Sequence, residues 1–170
     1  MINYLIIIQA RLGSTRLPNK VMQMVGNRTI LRRVWDSACV FANCMNKVIV
    51  AWPERYPDLD ENNVLERFRR ISNEFPSRYI IRLTSDCPLL EPEDISIAER
   101  VFQEGLNKGK QYYSNHLDGH DVQIFTRTYL MSGINTSVQH VIADFTTKPT
   151  GLSVNTKEDL ERVRKICETK

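Results

Sequence analysis

Residues 4–20 read Y-L-I-I-I-Q-A-R-L-G-S-T-R-L-P-N-K, and this stretch decides the fold. Leu5, Ile6, Ile7 and Ile8 follow one another without polar alternation, the pattern of a parallel strand covered on both faces. Beyond Gln9 the chain becomes a loop that runs through Ala10 to Lys20. Gly13 lets backbone approach a ligand closely, and Ser14 and Thr15 set hydroxyls beside main-chain N–H groups. Arg11, Arg16 and Lys20 carry the charge to neutralise a triphosphate, the arginines through forked hydrogen bonds and the lysine as a point charge. Pro18 stiffens the exit. The bland alternative is a solvated basic loop. The loop is not a Walker loop, because it lacks G-K-[ST], and it lacks the G-x-G-x-x-G of a dinucleotide fingerprint.

Outward from this stretch, strands and helices alternate. Ile30, Leu31, Val34, Ala38 and Phe41 recur at helical spacing. Val48 to Ala51 reads as a second strand, and Asp60 as the cap of a helix whose inner face is Val64, Leu65, Phe68 and Ile71. Tyr79 to Leu83 is a third strand, and Pro92 opens a helix through Leu106. Tyr112-Tyr113 and Val122 to Phe125 are extended. Leu152 to Val154 reads as a final strand before a helix from Lys157 to Cys167. This order implies an α/β domain with a parallel sheet and right-handed crossovers, a single unit over residues 1–170.

Composition limits the function classes. The 170 residues carry a net charge of +3, which argues against a dedicated nucleic-acid binder unless the charge is concentrated, as it is at Arg11, Arg16 and Lys20. No apolar run reaches membrane-spanning length, and the N-terminal stretch lacks the basic start of a signal peptide, so a cytoplasmic location is expected. Cys39, Cys44, Cys87 and Cys167 make no C-x-x-C pair and read as reduced thiols.

In an open α/β sheet, ligands bind beyond the carboxyl ends of the strands, where three loops fall: 9–19, 84–90 and 115–121. Asp86 follows a buried strand, where a carboxylate can hold Mg²⁺ against phosphate oxygens or simply make a turn. His116, Asp118, His120 and Asp121 cluster around Gly119. Asp118-Gly119 signals a turn, which favours sugar or base recognition over a zinc site. Cys87 is either a nucleophile or a buried small thiol, and no histidine is placed by sequence to activate it.

At these motifs the sequence resembles the cytidylyltransferases of the spore-coat polysaccharide biosynthesis type, which are similar to CMP-KDO synthetase and acylneuraminate cytidylyltransferases. The family opening I-I-x-A-R-x-x-S-T-R-L-P-x-K is reproduced from Ile7 to Lys20. Ile80 to Leu89, I-I-R-L-T-S-D-C-P-L, matches the family strand-turn, with Ser85 where glycine is usual. Ser114-Asn115 and Asp118 to Phe125 match S-N…D-G-x-D-V-x-x-F, and Val154 to Arg164 matches V-D-T-x-E-D-L-E-x-V-R. The resemblance implies a Rossmann-like nucleotide-diphospho-sugar transferase fold, reduced in size, with a mostly parallel sheet and helices on both faces. It implies attack of a sugar or sugar-acid hydroxyl on the α-phosphate of CTP, with Mg²⁺ as cofactor, and pairing into a homodimer. Carried over, Arg11, Arg16, Lys20 and Asp86 act on the triphosphate. Ala10, Gly13, Ser14, Thr15 and Arg82 line the nucleotide; Asn115, Asp118, Asp121 and His140 face the second substrate; Asp86 and Asn155 hold the metal.

Three departures from the family pattern matter. Asn155 stands where relatives carry a second metal-binding aspartate, which removes a negative charge from the site. The segment corresponding to R-E-H-V is Val138-Gln139-His140-Val141. A helix and strand ending in G-S-E-D-D-V-L-x-R are reduced to the echo D-E-N-N-V-L-E-R, residues 60–67; the second strand is then expected to become the sheet edge. A further shortening falls between Asp144 and Leu152. These departures keep two other functions open beside catalysis: a nucleotide-binding module without turnover, and a scaffold that binds no nucleotide.

Overall fold

The computed structural model describes residues 3–115, 118–132 and 151–169. Strand β1 (Tyr4–Gln9) lies near the centre of a five-stranded sheet, and Leu5, Ile6, Ile7 and Ile8 are all buried. A short 3₁₀ turn at Lys20–Met22 and the two-stranded ribbon of β2 (Met24–Val25) and β3 (Arg28–Thr29) lead into helix α1 (Ile30–Ala42). Thr29 caps that helix by accepting from the N–H of Arg32, and Asn43 ends it in the left-handed conformation. Next come β4 (Lys47–Ala51), α2 (Val64–Glu74), β5 (Tyr79–Thr84) and α3 (Pro92–Leu106). The chain continues through β6 (Tyr112–Ser114), β7 (Val122–Thr126), α4 (Arg127–Met131) and α5 (Lys157–Glu168).

The sheet order is β4-β1-β5-β7-β6. β4, β1 and β5 pair in parallel, whereas β7 is antiparallel to both β5 and β6. Four of the five strands therefore run the same way, and the expectation of a mostly parallel sheet is met. Alternation along β1 explains the two layers of helices. Ile6 and Ile8 pack with Val34 and Ala38 of α1 and Ile95, Ala98 and Phe102 of α3. Leu5 and Ile7 pack on the other face with Phe68 and Ile71 of α2 and Tyr129 and Leu130 of α4. Each fully buried isoleucine or leucine contributes about 1.5–3 kcal/mol, well above the strand-propensity scale of about 1 kcal/mol, so two-sided burial fixes this strand.

β4 is the sheet edge, as expected from the missing helix-strand unit. The chain beyond it folds back over this side of the sheet, where Tyr56 is buried among Phe68 and Ile71 and hydrogen-bonds Glu74.

Two expectations are corrected. Leu152 to Val154 is not a sheet strand. Its N–H groups donate one at a time, Leu152 to the carbonyl of Asp118 and Val154 to that of Asp86 at 2.8 Å. Its apolar side chains join Val25, Ile30, Leu160 and Val163 in a separate cluster. Asp60 does not cap α2: its carboxylate accepts from the N–H of Asn62, and Asn63 is the cap, accepting from Glu66.

Candidate functional site

The strand ends and loops enclose a cleft of about 390 Å³. One wall is the loop after β1, with Ala10, Arg11, Ser14, Thr15, Arg16 and Lys20. The floor is Arg82 and Thr84 of β5 with Ser85 and Asp86 beyond it; Asn155 closes one end. Backbone geometry explains why these residues meet. The N–H of Ser85 donates to the carbonyl of Gln9 at 3.0 Å, extending the β1–β5 register past the sheet. The Val154-to-Asp86 hydrogen bond then sets Asn155 beside Asp86.

Lys20 is the hub. Asn19 takes a left-handed conformation (φ 51°), and the following 3₁₀ turn buries the Lys20 side chain. Its ammonium donates to Asp86 Oδ2 at 2.8 Å and to Asn155 Oδ1 at 3.1 Å. Arg16 also reaches Asn155 Oδ1, at 3.4 Å. Asn155 is held in turn from behind. Asp159 accepts from the N–H groups of Asn155 and Thr156, and Thr156 completes a capping box by accepting from Asp159. Burial raises the Asp159 pKa, but the Asn155 and Thr156 donors and Arg162 outweigh it and leave the carboxyl below its ordinary value.

The other basic residues of the loop part company. Arg11 lies instead 3.8 Å from Glu61, with its side chain half exposed. Arg82 lines the cleft, yet its guanidinium is engaged with Gln9 Oε1 at 2.6 and 3.0 Å and Gln123 Oε1 at 2.8 Å. Burial lowers its pKa. Gly13 does not line the cleft; the space a side chain would need there is taken by the Glu61 carboxylate, 3.0 Å from an added Cβ.

The described residues of the 115–121 loop, expected to face the second substrate, stand outside this cleft. Asn115, Asp118 and Asp121 do not line this cleft. Asn115 is buried and braces its own loop, donating to the carbonyl of His120 at 2.7 Å and accepting from Val122 at 3.0 Å. Asp118 meets Leu152 through its backbone carbonyl. His120 Nδ1 pairs with Asp94 Oδ2 at 3.0 Å, both side chains buried, which ties the loop to the start of α3. Gly119 takes φ 92°, and an added Cβ would fall 2.6–2.8 Å from Leu152 atoms, so glycine is required there. The loop thus props up the segment that carries Asn155. His116 and His140 lie outside the described residues. Among the described residues no group of three or more His, Cys, Asp and Glu side chains could hold a metal. Cys87 is a buried thiol, pushed up to about 12 by burial and then by Asp86, the opposite of an activated nucleophile.

With this geometry in view, residues 5–52 match the family profile described as Cytidylyltransferase. Spore coat polysaccharide biosynthesis protein SpsF of Bacillus subtilis (strain 168) is 32% identical over 131 residues, covering 66% of this chain and 53% of that protein. The chain is a relative of the cytidylyltransferases. The 3-deoxy-manno-octulosonate cytidylyltransferase of Rickettsia bellii (strain OSU 85-389) is 30% identical over 108 residues, 53% of this chain and 43% of that one. The chain spans about half the length of the curated relatives it matches. Solved structures show the same fold. A cytidylyltransferase from Leptospira borgpetersenii serovar Hardjo-bovis (strain JB197) aligns with a TM-score of 0.81 at 20% identity, over 100% of this chain and 88% of the other. CMP:2-keto-3-deoxy-manno-octonic acid synthetase complexed with CTP aligns at 0.69 and 14% identity, over 98% and 99%.

The part of the cleft for which no role was expected comes from the reduced motif at residues 60–67. Glu61, Asn62, Val64 and Arg67 form the wall facing the phosphate loop. Arg67 was legible in principle: it lies three residues after Val64 and four before Ile71, a charged residue on the inner stripe of α2.

Proposed function

We propose that the chain binds CTP in this cleft and transfers its cytidylyl group to a hydroxyl of a sugar or sugar acid in polysaccharide biosynthesis. The observation that carries this reading is the meeting of Lys20, Arg16, Asp86 and Asn155 at one end of a cleft walled by the basic loop. Lys20 and Arg16 would bind and orient the triphosphate there, while Ser14 and Thr15 add hydroxyls along it. The acceptor oxygen attacks the α-phosphorus, the bond to the bridging oxygen of the β-phosphate breaks, pyrophosphate leaves, and the hydroxyl proton passes to solvent water. Because the charge develops on phosphate oxygens, positioning and neutralisation carry most of the catalysis.

The donor set suits Mg²⁺. Asp86 Oδ2 and Asn155 Oδ1 already converge on one cation, the Lys20 ammonium, and Mg²⁺ is commonly held by one or two carboxylates with substrate phosphates. Asp86 would hold it through its carboxylate and Asn155 through its amide oxygen. When bound, the ion supplies charge neutralisation to the phosphates.

A second reading, nucleotide binding without turnover, is favoured by Asn155 itself. Its neutral oxygen is shared by Lys20 and Arg16, and it leaves Asp86 as the one carboxylate lining this end among the described residues. Incubation with CTP, Mg²⁺ and a panel of acidic sugars separates the two. Pyrophosphate release with a matching acceptor supports transfer. CTP binding without release across the panel supports the binding module, and absence of CTP binding defeats both.

A further inference from the structure

Arg67 is buried to 2% exposure at the wall of the cleft, and only its Nη2 is engaged, donating to the backbone carbonyl of Glu61 at 3.1 Å. Its Nε and Nη1 have no hydrogen-bond partner among the described residues. Beside it, Glu61 Oε1 is also buried without a hydrogen-bond partner among the described residues, with Arg11 standing off at 3.8 Å. A buried guanidinium with idle donors and a buried idle carboxylate oxygen are each costly to leave unsatisfied, by about 1–3 kcal/mol or more for charged groups. Both residues line the same cavity, so a ligand that satisfies them together is the economical explanation.

We propose that Glu61 and Arg67 read the base, selecting cytosine over uracil. The inference rests on the CTP reading above. Cytosine presents an amino donor beside two acceptors, N3 and O2. The Glu61 oxygen accepts from the amino group, and the guanidinium donates to the acceptors. Uracil presents an oxygen where cytosine has the amino group and an N–H at N3, so it sets acceptor against carboxylate and donor against guanidinium. Val64 on the same wall offers apolar surface to the ring face. A phosphate is the poorer guest here, because it offers no donor to the Glu61 oxygen, and Lys20 and Arg16 mark the phosphate end beside Asp86 and Asn155.

Calorimetric titration of CTP, UTP and inorganic tripolyphosphate, each with Mg²⁺, tests the assignment on the native protein and on Glu61→Gln and Arg67→Met. The native protein should bind CTP at least about tenfold more tightly than UTP. Glu61→Gln, whose amide can donate to a uracil oxygen, should bring that ratio to within about threefold and leave tripolyphosphate binding unchanged. Arg67→Met should weaken CTP at least about tenfold without weakening tripolyphosphate. Equal native affinities for CTP and UTP, a ratio that survives Glu61→Gln, or parallel losses of CTP and tripolyphosphate in Arg67→Met would each overturn the inference while leaving the nucleotide site standing. Failure of the native protein to bind any of the three overturns the CTP reading as well. Should the Arg67 variant not fold, Glu61→Gln decides alone, since the Glu61 side chain is 42% exposed and glutamine has its shape.

Discussion

Lys20 and Asp86 form an ion pair at the cleft end, ammonium to Oδ2 at 2.8 Å, with the lysine side chain 11% and the aspartate 26% exposed. The pair joins the last residue of the phosphate loop to the first acidic residue beyond β5. It gives the buried ammonium a carboxylate partner before any phosphate arrives. An incoming triphosphate would compete with Asp86 for the ammonium, and a metal ion would relieve the carboxylate left behind. The site is therefore poised between two pairings of the same charges.

Replacing Lys20 by Met removes the cation and leaves the Asp86 carboxylate without it. CTP affinity should fall at least about tenfold, the scale of one charge-assisted hydrogen bond lost in a partly buried site. Calorimetric titration of the variant measures this, and native-like CTP affinity would remove Lys20 from the phosphate site.

Gly119→Ala should lower stability by about 2 kcal/mol or more, because an alanine meets both a positive φ and the Leu152 backbone. For a chain of this size that is a fall in Tm of roughly 4–8 °C. A thermal melt checks it. Loss of CTP affinity below the melting range is also expected, since the loop supports the Asn155 segment.

Acid stability carries a signature of the α5 capping box. The Asp159 carboxyl titrates below its ordinary value of 3.8 in the folded chain. Its contribution is thus fully present above the unfolded pKa and is lost as pH falls through the folded one. Asp159→Ala should cost about 1–2 kcal/mol at pH 7, and the gap from the native protein should narrow below about pH 3.5. Urea melts across that range measure it; a pH-independent gap would contradict the assignment.

Thiol reactivity should follow burial. Cys39 and Cys44 are exposed and Cys87 is buried with its pKa pushed up to about 12. Iodoacetamide at pH 8 should modify Cys44 first, then Cys39, whose pKa is raised by burial and by Asp36, and spare Cys87 in the folded chain. Peptide mapping by mass spectrometry reports the order, and early labelling of Cys87 would revive it as a nucleophile.

Much of this architecture could be read from residues alone, where periodicity and burial agree. Ile6 to Ile8 announced a strand buried on both sides, and Pro92 with its apolar stripe announced α3. Leu152 to Val154 misled because three apolar residues suit a short strand equally well as a docked loop; only the tertiary partners, Asp86 and Asp118, decide between them. The Lys20–Asp86–Asn155 meeting spans 135 residues, and the motifs named its members without showing that the lysine bridges the other two. Asn115 was a polar residue in a loop at the right end of the sheet. Sequence cannot distinguish such a residue reaching into a cleft from one spent on bracing its own turn. Arg67 could be read from its place on the inner stripe of α2, but one charge on that stripe passes for tolerated noise until its burial is known.

The central claim is that CTP occupies this cleft with its triphosphate at the Lys20 end. A crystal structure of the chain soaked with CTP and Mg²⁺ tests it most directly. The account predicts phosphate oxygens within hydrogen-bond distance of the Lys20 ammonium and the Arg16 guanidinium, with the base against Glu61 and Arg67. Nucleotide bound elsewhere, with Lys20 still bridging Asp86 and Asn155, would contradict it.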